Sequence, residues 1–155
     1  MTHTAIDTTK VKYADMVAAL IKDGEDIRAA LTPELCNILH MAVGVSGECG
    51  ELLECALDGS KGLRTPQEIV ANLDRENSVE ESGDIEFYSH GLFVATDTTV
   101  VMPEITNSLA DPLRIVARLS VYSSHILDAV KKTVMYGKPL ADTNYTESVG
   151  NFVYC

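Results

Sequence analysis

Two pairs of carboxylates, each spaced three residues apart, are the residues of this sequence best suited to chemistry. Glu48 and Glu51 form the first pair, and Glu81 and Asp84 form the second. Residues three apart in an α-helix differ in direction by about 60°, so each pair lies on one face if its segment is helical. Carboxylate oxygens are the ligands that Mg²⁺ and Mn²⁺ prefer, so the pattern indicates a divalent-cation site.

The surroundings of these acids differ from those of a solvated helix face. No Lys or Arg lies in residues 33–58, and none lies in 76–113, although exposed helices usually interleave acids with bases. Glu48 and Glu51 also interrupt a strongly apolar run. Carboxylates brought together in such a setting repel one another and take up protons unless a cation neutralises them. A bound metal is therefore a better interpretation than solvent exposure.

Two other classes of protein stay open on the residues alone. A di-iron or di-manganese oxidase also draws acids from facing helices, but it uses Glu-x-x-His motifs, and neither Glu51 nor Glu81 has a histidine at that spacing. A non-catalytic helical interaction module with solvated acids is the other alternative. Zinc is disfavoured because no Cys or His cluster accompanies the acids.

Helix start and stop signals place both acidic pairs on helices. A first amphipathic helix is predicted from about residue 11, with Gly24 near its end. Thr32-Pro33 is an N-cap followed by proline at the first helical position, and it predicts a helix to about Leu57 that carries Glu48 and Glu51.

The second acidic pair follows a capping box at 65–68, with Asp74 as a candidate fresh N-cap. The pattern runs to about Ala95 and leaves open whether 66–95 is one kinked helix or two. Asp111-Pro112 then predicts a long helix that ends at Gly137.

Four main helices with short connectors predict an all-α, four-helix-bundle-like architecture. We expect a loose N-terminus over residues 1–9 and a single helical domain over 10–155, since no repeat or long linker marks a boundary. Residues 96–101 are predicted as a loop, and a short turn of helix is predicted near 104–109.

The composition fits a folded cytoplasmic domain. The chain has 155 residues, 46% hydrophobic and 23% charged, which is near the globular average. Its formal net charge of -11 argues against a broad nucleic-acid surface. The N-terminal segment lacks a basic region followed by an apolar one, and no apolar run has the ~20 residues of a membrane span. The four cysteines form no CxxC pair, and we expect them to be reduced.

The context of the acidic pairs carries a family resemblance. Residues 39–54 read LHMAVGVSGECGELLE, and residues 74–88 read DRENSVEESGDIEFY. These segments resemble the MazG-like all-α nucleoside triphosphate pyrophosphohydrolases, whose pattern is an E-x-x-E helix followed by an E-x-x-D helix. The contexts G-E-x-G-E-L and E-E-x-G-D-[IV]-x-x-Y make the match more specific than four acids alone. The resemblance covers about residues 35–138 and is weakest over 96–111.

The resemblance implies hydrolysis of a (deoxy)nucleoside triphosphate between the α and β phosphates, which gives the monophosphate and pyrophosphate. It places Glu48, Glu51, Glu81 and Asp84 at the positions of the family's catalytic metal ligands. The implied cofactor is Mg²⁺, with Mn²⁺ as a substitute. The sequence does not decide which acid is the general base.

Further implications concern the substrate and the assembly. Glu54 and Glu80 are candidates for another ligand or for orienting the attacking water. A phosphate- and sugar-binding segment is implied at the end of the last long helix, with four candidate residues: Lys131, Lys132, Tyr136 and Lys138. Nucleotide-pool control with dGTP, dCTP or dUTP as substrate, a MazG-type fold completed in a homodimer or homotetramer, and a phage origin are expected. No nucleic-acid or membrane partner is expected.

Overall fold

The protein is built from helices throughout the part that the computed structural model describes, which is residues 12–59, 62, 65–100 and 111–155. The loose N-terminus predicted for 1–9 and the helical turn predicted near 104–109 lie outside these residues. The described elements are α1 (Tyr13–Leu20), α2 (Gly24–Ala30), α3 (Pro33–Gly59), α4 (Pro66–Asn72), α5 (Arg75–Ala95), α6 (Pro112–Tyr136), a 3-10 turn (Leu140–Asp142) and α7 (Tyr145–Val153). The all-α prediction is confirmed, and residues 96–100 form the expected connection.

Side-chain caps fix the starts of α4 and α5. The Thr65 hydroxyl accepts from the Glu68 N–H while the Glu68 carboxylate accepts from the Thr65 N–H, which completes the predicted capping box. The Asp74 carboxylate accepts from the Glu76 and Asn77 N–H groups and starts a new helix. Residues 66–95 therefore form two helices, because a cap at Asp74 requires a non-helical backbone there.

The long helix α6 also has the ends that its sequence predicts. The Asp111 carboxylate accepts from the Leu113 N–H at its start, and Pro112 occupies its first position. Gly137 ends it with a φ of 64°, a left-handed conformation that glycine adopts without a Cβ penalty.

Two short helices depart from the sequence prediction. Gly24 is the first residue of α2 rather than the end of α1, because the Asp23 carboxylate caps the new helix by accepting from the Glu25 N–H. The N-cap residue Asn144 of α7 makes no side-chain cap bond, and the Thr143 hydroxyl accepts from the Tyr145 N–H instead. The α7 residues Tyr145, Val149 and Phe152 are buried, and packing holds the helix in place.

Helix α3 is the centre of the fold. It packs against α5 on one side and against α6 on another, and α7 covers α6. No Cα atom of α5 lies within 8 Å of one in α6, so the two helices form separate layers on α3. The core is the set of buried residues shared by these layers: Ala42, Val45, Cys49, Leu92, Ile126, Ala129, Val130, Val134, Tyr145, Val149 and Phe152. Among the described helices, none has both the length and the hydropathy of a bilayer span.

Two glycines let α3 and α5 approach each other closely. The ring of Tyr88 on α5 lies directly over Gly44 on α3, where an added Cβ would overlap three ring carbons. A Cβ at Gly91 on α5 would lie 2.7 Å from the Met41 Sδ atom on α3. The spacing of the two helices therefore depends on the absence of these two side chains.

Replacing Gly44 with alanine should destabilise the protein by about 1–3 kcal/mol, because the Tyr88 ring or the helices must shift to admit the methyl group. Gly47→Ala is the matched control on the same helix, since a Cβ there meets nothing within 4 Å. We expect the control to be neutral or to gain up to about 1 kcal/mol from helix propensity. Urea unfolding measures both, and equal losses in the two variants would contradict the close approach.

Candidate metal centre

The close approach of α3 and α5 brings the predicted acids together. Glu48 and Glu51 on α3 and Glu81 on α5 each offer a carboxylate oxygen, and these three oxygens lie within 4.8 Å of one another. Glu48 and Glu81 are half-buried, whereas Glu51 is exposed. The fourth predicted residue, Asp84, is exposed on α5 one turn after Glu81. All four acids thus lie along the line where α3 and α5 meet, which we call the α3–α5 seam.

The pKa of Glu48 is affected by the other three acids of the cluster. Its pKa is raised above the ordinary value of 4.5, first by burial and then by a side-chain hydrogen bond with Glu81. The negative charges of Glu51, Asp84 and Glu81 raise the pKa further. Asp84 therefore lies close enough for its charge to raise the pKa of Glu48. The cluster favours a proton or a cation at its centre.

Cys49, the neighbour of Glu48, points in a different direction. It is fully buried and lies beside Ser123 of α6, whose hydroxyl donates to the Ser120 carbonyl. Burial raises the pKa of its thiol to about 11, so the thiol stays protonated and inert at neutral pH. Helix α3 thus presents its acids to α5 and its apolar residues to α6, as the helical period requires.

An open cleft of about 450 Å³ adjoins the cluster at the end of α3. Its lining includes two residues of the cluster and extends to the caps of α4 and α5: Glu51, Glu54, Cys55, Asp58, Asn72, Asp74, Asn77 and Glu81. Of the two accessory acids, Glu54 lines the cleft, whereas Glu80 is exposed on α5 outside this lining. The cleft is wide enough for a hydrated cation and a small ligand.

Several of these lining residues escaped the sequence prediction. Cys55 follows Glu51 by four residues, and Asp58 follows Glu54 by four, so the helical period offered a signal for both. Asp74 and Asn72 gave no such signal, because they belong to the break between α4 and α5. Only the packing of that break against α3 brings them to the cleft.

The donor set fits a hard divalent cation. It consists of carboxylate oxygens, and no histidine joins the cluster within the described residues. Mg²⁺ needs only one or two carboxylates from the protein and keeps several waters, which an exposed cluster beside an open cleft permits. Sites for zinc or di-iron use nitrogen or sulfur donors that this cluster lacks.

The basic residues predicted to bind phosphate lie elsewhere on the chain. The ammonium groups of Lys131 and Lys132 pair with the Asp128 carboxylate at 3.0 and 2.6 Å. Ser123 marks the level of the cluster on α6, since it contacts Cys49. Lys131 is eight residues further along α6, which corresponds to about 12 Å along the helix axis.

The other two predicted contacts are at the end of α6. Tyr136 is exposed, and the Lys22 ammonium lies 5.7 Å from the centre of its ring. Lys138 is exposed just after the helix. Lys22 adds a cation to this region, and no sequence signal pointed to it because the contact joins distant parts of the chain. Substrate contact by the four predicted residues, Lys131, Lys132, Tyr136 and Lys138, stays a prediction.

Aromatic side chains continue the α3–α5 seam beyond the acids. The rings of His40 and Tyr88 meet edge to face on this seam at 5.8 Å. The exposed Phe87 ring meets the Tyr88 ring at 5.2 Å from the outer side of α5. Tyr88 follows Asp84 by one turn. A ligand held at the acids therefore has rings within reach along the same seam.

Comparison with known proteins does not identify the chain. No family model, curated protein or solved structure matches it.

Replacing Glu48 with glutamine should stabilise the protein when no metal is added. Because the pKa of Glu48 is raised by folding, the folded state binds a proton there more tightly than the unfolded chain does, so ionisation of Glu48 destabilises the fold. This destabilisation is fully present above the folded-state pKa and disappears as the pH falls to 4.5. We expect Glu48→Gln to raise the melting temperature in EDTA at neutral pH, with a gain that shrinks toward acid.

Addition of Mg²⁺ provides the complementary measurement. It should raise the melting temperature of the wild-type protein more than that of Glu48→Gln, since a ligand of the folded state stabilises it by mass action. A gain from Glu48→Gln that grows on acidification would contradict the electrostatic account.

Proposed function

We propose that this protein is a Mg²⁺-dependent nucleoside triphosphate pyrophosphohydrolase, which cuts its substrate between the α and β phosphates. The observation that carries the proposal is the convergence of Glu48, Glu51 and Glu81 within 4.8 Å, with Asp84 beside them. These are the four positions at which the sequence resembles the metal ligands of the MazG-like enzymes.

The chemistry of the cluster supports a phosphate substrate. When bound, Mg²⁺ neutralises charge on phosphate oxygens and lowers the pKa of a coordinated water. A water adds to the α-phosphorus, the bond from that phosphorus to the bridging oxygen breaks, and pyrophosphate leaves. The water's proton passes to a carboxylate of the cleft, for which Glu54 is a candidate, because it lies in the lining outside the three-acid cluster.

The remaining expectations extend this proposal. Lys131, Lys132, Tyr136 and Lys138 are proposed as phosphate and sugar contacts, and the rings of the seam as contacts for the base. Since Lys131 and Lys132 lie about 12 Å or more along α6 from the level of the acids, we propose that they act from a second copy of the chain. A cytoplasmic role in nucleotide-pool control, with dGTP, dCTP or dUTP as substrate, and a MazG-type homodimer or homotetramer complete the proposal.

Substitution of the cluster tests the reaction. Glu51→Gln and Glu81→Gln should each lower kcat/KM by on the order of 100-fold or more, because each removes charge that holds the metal against the phosphates. The measurement is release of monophosphate and pyrophosphate from the eight common nucleotides and dUTP with Mg²⁺. Omission of Mg²⁺ or addition of EDTA should abolish the release.

Glu147→Gln provides the matched control, because Glu147 is an exposed acid on α7. Its substitution removes the same charge outside the cluster. It should leave the rate unchanged. If the wild-type protein cleaves none of the nine triphosphates with Mg²⁺ or Mn²⁺, the proposal fails. Near-ultraviolet or visible absorption from bound iron would favour the oxidase instead.

Replacement of both Lys131 and Lys132 with alanine tests the phosphate contacts. If they bind the triphosphate, KM should rise by about 100-fold or more while the fold is retained, since charge-assisted contacts to phosphate contribute about 1.5–3 kcal/mol each. Asp128→Asn is the informative control, because it removes their present ion-pair partner and keeps both cations. An unchanged KM in the double variant would remove these lysines from the site.

A further inference from the structure

Helix α5 contains a buried hydroxyl that makes no hydrogen bond. Less than 1 Å² of the Ser78 Oγ atom is exposed to solvent. It is the only buried side-chain nitrogen or oxygen without a partner in the part of the chain that the structure describes. Buried polar groups in folded proteins are nearly always hydrogen-bonded, because an unpaired one destabilises the fold. Packing alone therefore does not explain a serine at this position.

Other helical serines of the chain show what an ordinary hydroxyl does. Ser82, Ser124 and Ser148 each donate to the backbone carbonyl four residues earlier, at 2.6 to 2.8 Å. This local bond satisfies a hydroxyl inside a helix without any tertiary partner. Ser78 does not make the same bond to the Asp74 carbonyl. Its hydroxyl is therefore left for an acceptor on the surface that α5 presents to α3.

The position of Ser78 on the helix indicates which acceptor that is. A stripe of α5 with intervals of three, four, three and four residues faces α3: Ser78, Glu81, Ile85, Tyr88 and Leu92. Ser78 thus precedes Glu81 by one turn on the same face. Side chains of a helix lean toward its N-terminus, so the Glu81 side chain extends over the turn that carries Ser78.

A carboxylate that binds a cation needs such a donor behind it. One oxygen of the carboxylate contacts the cation, and a hydrogen bond to the carboxylate fixes its orientation. The Glu81 carboxylate offers an oxygen within 4.8 Å of those of Glu48 and Glu51, and acids cannot donate to it when ionised. Asn77 is exposed and can donate to water, whereas the buried Ser78 hydroxyl has no access to solvent.

We propose that the Ser78 hydroxyl donates to the Glu81 carboxylate when Glu81 binds the divalent cation, and that Ser78 is thereby a positioning residue of the metal centre. This inference rests on the metal centre of the proposed function and not on the identity of the nucleotide. It accounts for a serine that only destabilises the chain by itself, because its hydroxyl gains a partner in the loaded site.

Ser78→Ala tests the proposal with two readouts that move in different directions. Titration calorimetry of the full chain with Mg²⁺ alone should give a Kd raised by about tenfold or more, the effect of losing a group that orients a ligand. The melting temperature in EDTA should stay the same or rise, since alanine removes the unpaired hydroxyl and favours the helix. A merely structural role of Ser78 would leave the Kd for Mg²⁺ unchanged.

Ser82→Ala is the matched control, because it removes an exposed hydroxyl of the same helix that is bonded to the Ser78 carbonyl. Its Kd for Mg²⁺ should equal that of the wild type. The proposal is overturned if Ser78→Ala binds Mg²⁺ as tightly as the wild type does. It is also overturned if Ser82→Ala weakens binding as much as Ser78→Ala.

Failure of the proposed function gives a different result. A wild-type protein that binds neither Mg²⁺ nor Mn²⁺ overturns the metal centre and the role of Ser78 together. A wild-type protein that binds Mg²⁺ but cleaves no triphosphate overturns the reaction alone, and the Kd of Ser78→Ala still decides the role of Ser78.

The hydrogen bond itself can be observed in crystals of the full chain grown with Mn²⁺. The Ser78 Oγ atom should lie 2.5–3.0 Å from a carboxylate oxygen of Glu81, the usual range for a hydroxyl donor. A separation above about 3.5 Å in the Mn²⁺-loaded site overturns the assigned contact.

Discussion

Repulsion among the carboxylates on the α3–α5 seam is the constraint on which the site depends. Two helices that carry no Lys or Arg along the seam are held close together by the contact of Tyr88 with Gly44 and of Met41 with Gly91. That packing brings Glu48 against Glu81 and raises the pKa of Glu48. Crowding of the carboxylates destabilises the fold and improves no core packing. A cation as the normal occupant of the seam would explain why the acids are held so close together.

The layered arrangement explains why a single chain has such an uneven surface. Helix α3 uses one face for α5 and another for α6, so α5 and α6 do not cover each other. The core collects between α3, α6 and α7, and the outer face of α5 keeps three large apolar side chains in solvent. An open acidic cleft on one side of α5 and an apolar stripe on its other side follow from the same geometry.

Much of the fold could be predicted because its signals are local. Thr65 with Glu68, Asp74, Asp111 and Gly137 each act through hydrogen bonds or backbone angles within a few residues, and all of them fix helix ends where the sequence places them. The short helices α2 and α7 were missed: the Asp23 cap of α2 is a local signal that the prediction did not use, whereas α7 is held by its buried residues Tyr145, Val149 and Phe152. The oligomer, the substrate and the roles of Lys131 and Tyr136 stay predictions, because they concern molecules outside the chain.

The sequence by itself determined that Glu48 and Glu51 share one helix face and that Glu81 and Asp84 share another, because the helical period fixes direction along a helix. It could not determine that the two faces meet. Only the tertiary structure decided this, since the meeting depends on a ring of α5 packing on a glycine of α3. The tertiary structure alone also placed Asp74 and Asn72 in the cleft and left Lys131 and Lys132 beside Asp128. Contacts between distant segments arise from packing, which a local sequence pattern does not predict.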